Sequence, residues 1–249
     1  MARQEEDPEA LQLQVMQNTS SEAILDVKKP APRAGDIQQR IRRLKMTKVV
    51  EVEGAKVGDA APTFRYIIMN LPMSKVSKEK LDEMAEKTRH VRPLLKLWIA
   101  TDADIPRLVD LYNASFFQCP DPYRPVTEAD MRAIFEKSTI IMGSMYGMDA
   151  GFIVNKIETS VSESGKQERV GVICGIAVHP RFRQKGVATA IGLEAYEFFK
   201  DKKIDYLQCE VYEKNDPSMS FITWVGFRPA GQLVVKTPSA QQINPLEHV

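Results

Sequence analysis

Cysteine, histidine, long apolar runs and a surplus of either charge are all scarce in this 249-residue chain, and each shortage excludes something. Cys119, Cys174 and Cys209 are odd in number and show no C-x-x-C spacing, so neither a disulfide framework nor a zinc site is suggested. His90, His179 and His248 lie far apart in sequence, and no metal is expected. A reducing, cytoplasmic setting fits that cysteine usage. The longest apolar run, Val170 to Val178, is roughly half of the 18 or so residues a bilayer span needs, and it holds two glycines. No membrane partner is expected. Glu5, Glu6 and Asp7 stand where a signal peptide would carry positive charge, so export is not expected either. Thirty-four Lys and Arg against thirty-three Asp and Glu leave a net charge of +1, too balanced for the chain-wide field of a non-specific nucleic-acid binder. The G-x-S-x-G elbow of a serine hydrolase is missing.

What is present is ordinary globular composition, with 43% hydrophobic and 27% charged residues, and an uneven layout. Residues 1 to 35 are rich in Gln and Glu, end in Lys28-Lys29-Pro30-Ala31-Pro32 and offer few large side chains, so a disordered arm is expected there. Residues 36 to 94 read as a basic helix and a small α/β extension. The helix places Ile37, Ile41 and Leu44 on one face among Arg40, Arg42, Arg43 and Lys45, which suits either solvent or an acidic partner such as RNA. The extension has strand-like runs at Lys48 to Val52 and Thr63 to Met69, then a helix opened by Ser77 with Leu81, Met84 and Ala85 on one face.

From Leu95 onward the pattern changes to that of a larger α/β domain, taken as residues 95 to 249. A strand at Leu95 to Ile99 is followed by Thr101 and Asp104 in capping-box spacing and a helix through Ile105, Leu108, Val109 and Tyr112. A second helix opens at Thr127, with strands at Thr139 to Met145, Gly151 to Thr159 and Glu168 to His179. Gly165-Lys166, in the polar link between the last two strands, lacks the upstream glycine of a phosphate loop and reads as a hairpin turn.

The informative stretch is the apolar strand ending Ile176-Ala177-Val178, its break at His179-Pro180, and the run Arg183-Gln184-Lys185-Gly186-Val187-Ala188-Thr189 that opens a helix. Glycine and alanine let a ligand approach the backbone, and a helix start presents unpaired N–H groups, so this turn suits a phosphate. Arg181, Arg183 and Lys185 add positive charge around it.

I-A-V-x-P followed by R-x-x-G-x-A resembles the acetyl-CoA signature of the GNAT superfamily of N-acetyltransferases. Further likeness follows in order: Trp98 to Asn113 resembles the family's first strand and helix, Leu207 to Val211 its fifth strand, and Asn215 to Gly226-Phe227 keeps its spacing. Together these stretches span roughly Leu95 to Val235. The resemblance implies an α/β fold with a mixed, splayed β-sheet flanked by helices, and acetyl-CoA as co-substrate. It also implies that the coenzyme's pantetheine arm pairs with the backbone at Ile176 and Val178, beside Ala177, like an added strand. The diphosphate would sit on the N–H groups of Gln184, Lys185, Gly186, Val187, Ala188 and Thr189, with Arg183 beside them, and Asn215 matches a cofactor-contacting position.

Acetyl transfer to a primary amine needs a neutral amine and a tolerable leaving thiolate. Glu210 stands five residues before Asn215, where relatives that acetylate protein N-termini carry a base. The family's tyrosine acid falls seven residues after the loop asparagine, and here that position is Ile222. The acid is then water or another side chain such as Tyr212, or none is needed. The acceptor, whether protein N-terminus, lysine or small amine, is not written in the motifs; Phe116, Phe117, Tyr123 and Arg124 could line its groove, and Asp121, Glu128 and Asp130 would favour a cation. The competing class, motivated by Ile222, is a non-catalytic acyl-CoA-binding or scaffolding protein with the same fold.

Overall fold

The structure is a computed structural model that describes residues 50–51, 63–162 and 165–236. The expected arm at 1–35 and the basic helix at 36–45, with its acidic partner, lie outside the described residues. In chain order the elements are β1 (Val50–Glu51), β2 (Thr63–Pro72), α1 (Lys78–Thr88), β3 (Leu95–Ile99), α2 (Ile105–Phe116), α3 (Glu128–Phe135), β4 (Thr139–Met145), β5 (Met148–Val161), β6 (Gln167–Val178), α4 (Val187–Lys200), β7 (Tyr206–Tyr212), α5 (Asp216–Val225) and β8 (Arg228–Lys236). Among the described residues no helix is long and apolar enough to cross a membrane.

The helix starts follow from their caps. Ser77 accepts from Lys80 N–H at 3.2 Å ahead of α1. Thr127 and Asp130 form a reciprocal capping box ahead of α3, and Thr101 and Asp104 do the same before α2. The polar link between β5 and β6 is a turn, with Gly165 N–H donating to the Ser162 carbonyl at 2.9 Å and a φ of 79° at Gly165.

One mixed, open sheet of eight strands runs in the order β1-β8-β2-β7-β6-β5-β4-β3. All neighbours are antiparallel except β6 and β7. The strand expected in the N-terminal extension, β2, lies between β7 and β8, with Met69 opposite both Cys209 and Pro229. Residues before Leu95 therefore help build the sheet itself, and β2 supplies the fully buried Met69 and the buried Leu71 to its core.

Side chains alternate across the strands, so two faces are buried separately. One face takes α2 and α3 over Ile140, Met142, Phe152, Val154 and Ala177. The other takes α4 and α5: Ile191 and Ala195 cover the β4–β6 half, while Phe199 and Ile222 cover β2 and β7. Helix α1 lies on this second face, where Trp224 of α5 holds it. The Lys80 and Lys87 ammonium groups sit 4.2 and 3.9 Å from the indole ring centroid, and the indole N–H donates to Glu83 at 3.0 Å.

Candidate functional site

The site begins where two strands part. β6 pairs β5 along its whole length, from Gly151 opposite Val178 to Val161 opposite Gln167. Against β7 it pairs only from Val170 opposite Tyr206 to Ile173 opposite Cys209. At that point β6 carries a bulge: Gly175 faces Val154 and Ile173 faces Asn155, leaving Cys174 without an opposite number. A bulge bends its strand and adds twist, which turns β6 away from β7 just where their pairing stops. From Cys174 to Val178 the β7-facing edge of β6 consequently has no strand beside it. Ile176 and Val178 are half-buried along that edge and Ala177 is buried under α2.

The chain leaving β6 is folded tightly. A 3-10 turn covers Pro180–Phe182, capped by His179, whose Nδ1 accepts from Arg181 N–H at 3.3 Å. Gln184 has φ 59° and Gly186 has φ 83°, both left-handed. Helix α4 then starts with no side-chain cap, and Ala190 N–H donates to the Gly186 carbonyl at 3.0 Å to close the first turn. The N–H groups of Val187, Ala188 and Thr189 precede that bond and point out of the helix start, at the positive end of its dipole. Val187 and Thr189 are buried, Ala188 is half-buried, and Gln184 and Lys185 are exposed with the Lys185 ammonium 5.8 Å from the Phe182 ring. A helix start of this kind is able to take an anion.

Arg183, half-buried beside this turn, is held by three carbonyls. Its guanidinium donates to the carbonyls of Ser115 (2.6 Å), Val178 (3.3 Å) and Gln118 (3.5 Å). It ties the end of β6 and the loop that follows to the last turn of α2.

At the far side, the loop after β7 holds Asn215, the N-cap of α5, buried and bonded on both sides of its amide. Its Oδ1 accepts from Ser218 N–H at 3.1 Å to cap α5. Its Nδ2 donates to the Asp121 carboxylate and to Cys119 Sγ at 3.4 Å, and the Cys119 thiol donates to Asp121 at 3.2 Å. The segment after α2 is thereby locked to the segment after β7. Nearby on α2, the Tyr112 hydroxyl and Ser115 Oγ are buried with no hydrogen-bond partner among the described residues. Burial, then the negative charge of Asp121, pushes the Tyr112 phenol well above its ordinary range.

Glu210 and Tyr212 share one face of β7, the face opposite Leu207, Cys209 and Val211. Glu210 is half-buried, opposite Ile68 of β2. Tyr212 is buried beside Tyr66 and Phe64, ring centroids 5.5 and 6.1 Å away, and burial with the charges of Glu213 and Asp121 raises its phenol. Cys174 looks onto the same face: burial first, then Glu158, raises its thiol, with Lys156 opposing and Glu210 adding. Lys156 and Glu158 are themselves paired at 2.5 Å. Among the described residues no group of His, Cys, Asp and Glu could hold a metal. Ile222 is buried on the opposite face of the sheet, among Leu207, Cys209 and Phe227.

Glu210 and Tyr212 lie together on one face of β7, the Gln184–Thr189 turn follows the free edge of β6, and Asn215 joins the start of α5 to Asp121. Sequence reasoning missed the Arg183 clasp and the Cys119–Asp121–Asn215 network. The only hint of the network was Asp121 between Pro120 and Pro122, which marks a rigid turn without naming its partner.

A model of the GNAT acetyltransferase family matches residues 105–227. No curated protein matches the chain in sequence. Among solved structures, a Trypanosoma brucei acetyltransferase is similar at 17% identity and TM-score 0.43, over 55% of this chain and 94% of that one. The Escherichia coli ribosomal-protein-S18-alanine N-acetyltransferase is similar at 15% identity and TM-score 0.45, over 61% and 98%. The aminoglycoside N-acetyltransferase AAC(6')-Iy, solved with CoA, is similar at 19% identity and TM-score 0.45, over 55% and 90%. Residues 105–227 of this chain are a domain of the GNAT acetyltransferase family.

Proposed function

We propose that the chain binds acetyl-CoA in the cleft between β6 and β7 and transfers the acetyl group to a primary amine. The observation that carries this reading is the uncapped start of α4 behind a left-handed Gly186, set at the end of a strand edge that has lost its neighbour. N–H groups from Gln184 to Thr189 would hold the diphosphate. The edge at Ile176 and Val178 would pair with the amides of the pantetheine arm as a missing strand would.

In the transfer, Glu210 takes a proton from the acceptor amine, the amine nitrogen bonds to the thioester carbon, and the carbon–sulfur bond breaks. The leaving thiolate takes a proton from Tyr212 or from water. Support for Tyr212 is its position two residues from Glu210 on the same face of β7. A thiol of pKa about 8.5 leaves tolerably without full protonation, so the phenol accelerates the step instead of being required for it. The half-buried Glu210 favours a cationic acceptor, whether protein N-terminus, lysine or small amine.

The test is thiol release from acetyl-CoA with mixed peptide and small-amine acceptors. Glu210→Gln should lower kcat by about 10²–10⁴, the usual worth of a general base. Coenzyme binding with no thiol release from any acceptor would favour the second reading, a non-catalytic acyl-CoA-binding protein, for which Ile222 in place of an acidic phenol is the specific observation.

A further inference from the structure

Helix α1 precedes the stretch that the family model matches, 105–227, yet it touches both halves of the proposed coenzyme site. Toward the β6 edge, Leu81 and Met84 of α1 line one cavity together with Ile176. Toward the start of α4, a Cβ built on Gly186 would meet the Lys87 carbonyl and Val91 Cγ1 at 3.5 Å and His90 Cε1 at 3.8 Å. The eleven residues of α1, about 16 Å of helix, thus reach from one half of the site to the other.

The segment is fixed at its two ends and lightly held between them. Before α1, the Met73 N–H donates to the Asp205 carbonyl at 3.0 Å. After it, the buried Val91 packs with Val187, Ala190 and Ile191, and Arg92 meets Glu194 at 3.3 Å. On the helix itself only Met84 and Thr88 are buried, and the Thr88 hydroxyl donates to the Met84 and Ala85 carbonyls of its own helix. Among the described residues, every hydrogen bond, ion pair or ring contact that joins an α1 side chain to another element goes to Trp224 of α5. Lys80 and Lys87 lie over its indole, and Glu83 accepts its N–H. A helix that buries so little and rests on a few surface contacts opens locally at low cost.

We propose that α1 is a strap across the coenzyme site, that it lifts for coenzyme to enter or leave, and that Trp224 is the latch that sets how often it lifts. The inference rests on the coenzyme reading above and goes beyond it, because the strap comes from outside the family domain. Lifting breaks the contacts to Trp224 and leaves Val91 and β2 in the core. Those contacts are made by protein groups alone, so they hold the strap whether or not coenzyme is present. A weaker latch therefore speeds entry and exit alike and leaves affinity nearly unchanged. A helix that merely touched the ligand would behave differently: losing its contacts would speed exit alone.

The experiment is surface plasmon resonance with the full chain immobilised and CoA as analyte, on wild type, Lys87→Gln and Trp224→Leu. Lys87→Gln removes one exposed cation–π contact, so the association and dissociation rates should each rise about twofold to fivefold. Trp224→Leu removes two, and each rate should rise about fivefold to thirtyfold. Kd should move by less than about twofold in both. Unchanged rates in both variants, or a faster dissociation with unchanged association, overturn the strap and leave the coenzyme reading standing. No CoA binding by wild type at millimolar levels overturns both. Lys87 is an exposed residue, so Lys87→Gln keeps the proposal open to refutation even if Trp224→Leu folds poorly.

Discussion

Gly186 gives the sharpest handle on the anion seat. Its φ of 83° lies where an L-residue costs about 1–2 kcal/mol relative to glycine. Space is not the obstacle to substitution. A Cβ there would meet the Lys87 carbonyl and Val91 Cγ1 at 3.5 Å each and His90 Cε1 at 3.8 Å, all ordinary contacts. In Gly186→Ala the backbone therefore has two options. It keeps its left-handed turn and the folded state is destabilised by about 1–2 kcal/mol, which lowers Tm by about 2–8 °C in a domain of this size. Or it relaxes, the N–H groups of Val187 and its neighbours lose their aim, and CoA affinity falls about fivefold to thirtyfold for the same energy. Differential scanning calorimetry and CoA titration on the same sample measure both losses, and their sum should stay near 1–2 kcal/mol however it is divided. If Tm and CoA affinity both match wild type, the reasoning from the left-handed turn is wrong.

Arg183→Met should destabilise the fold by about 2 kcal/mol, because the charge-assisted bond to Ser115 at 2.6 Å is lost and the carbonyls of Ser115 and Val178 are left unmet. A Tm drop of about 4–8 °C checks it, and an unchanged Tm with weakened CoA binding would show that the guanidinium meets the anion after all. Burial raises the thiols of Cys174 and Cys209, so the folded chain keeps protons that the unfolded chain gives up near pH 8.5. Their contribution to stability is complete below that pH and is lost as pH rises through it toward the folded values. The double variant Cys174→Ala, Cys209→Ala should accordingly lose less of its urea midpoint between pH 8 and pH 10 than wild type; equal losses would contradict the assignment. The same two thiols should resist Ellman's reagent at pH 8 in the folded protein.

Much of the domain could be read from the sequence because its signals are local. The capping boxes Thr101–Asp104 and Thr127–Asp130 mark helix starts within one turn, and the hairpin at Gly165 follows from a φ that glycine supplies. The turn after β6 was legible for the same reason: a glycine-led helix start lies directly after its strand. What was not legible depends on residues far apart in the chain. Nothing in Thr63 to Pro72 says that this strand lies between β7 and β8, since strand order is chosen by which edges remain free once the rest has packed. A guanidinium suits anions and carbonyls alike, and nothing local in the sequence announces that Arg183 meets the carbonyl of Ser115, 68 residues away. Asp121 and Asn215 are separated by 94 residues, and their bond exists only because the splay brings two loops to one end of the sheet. The bulge at Cys174 that opens the splay has no sequence signature of its own.

The central claim is that the backbone amides from Gln184 to Thr189, together with the free edge at Ile176 and Val178, hold the coenzyme. Amide chemical shifts of the isotope-labelled full chain, recorded as CoA is added, test it residue by residue. The account predicts that the largest shifts fall on those eight amides and that the change saturates. Shifts centred elsewhere, or none at millimolar CoA, would contradict it.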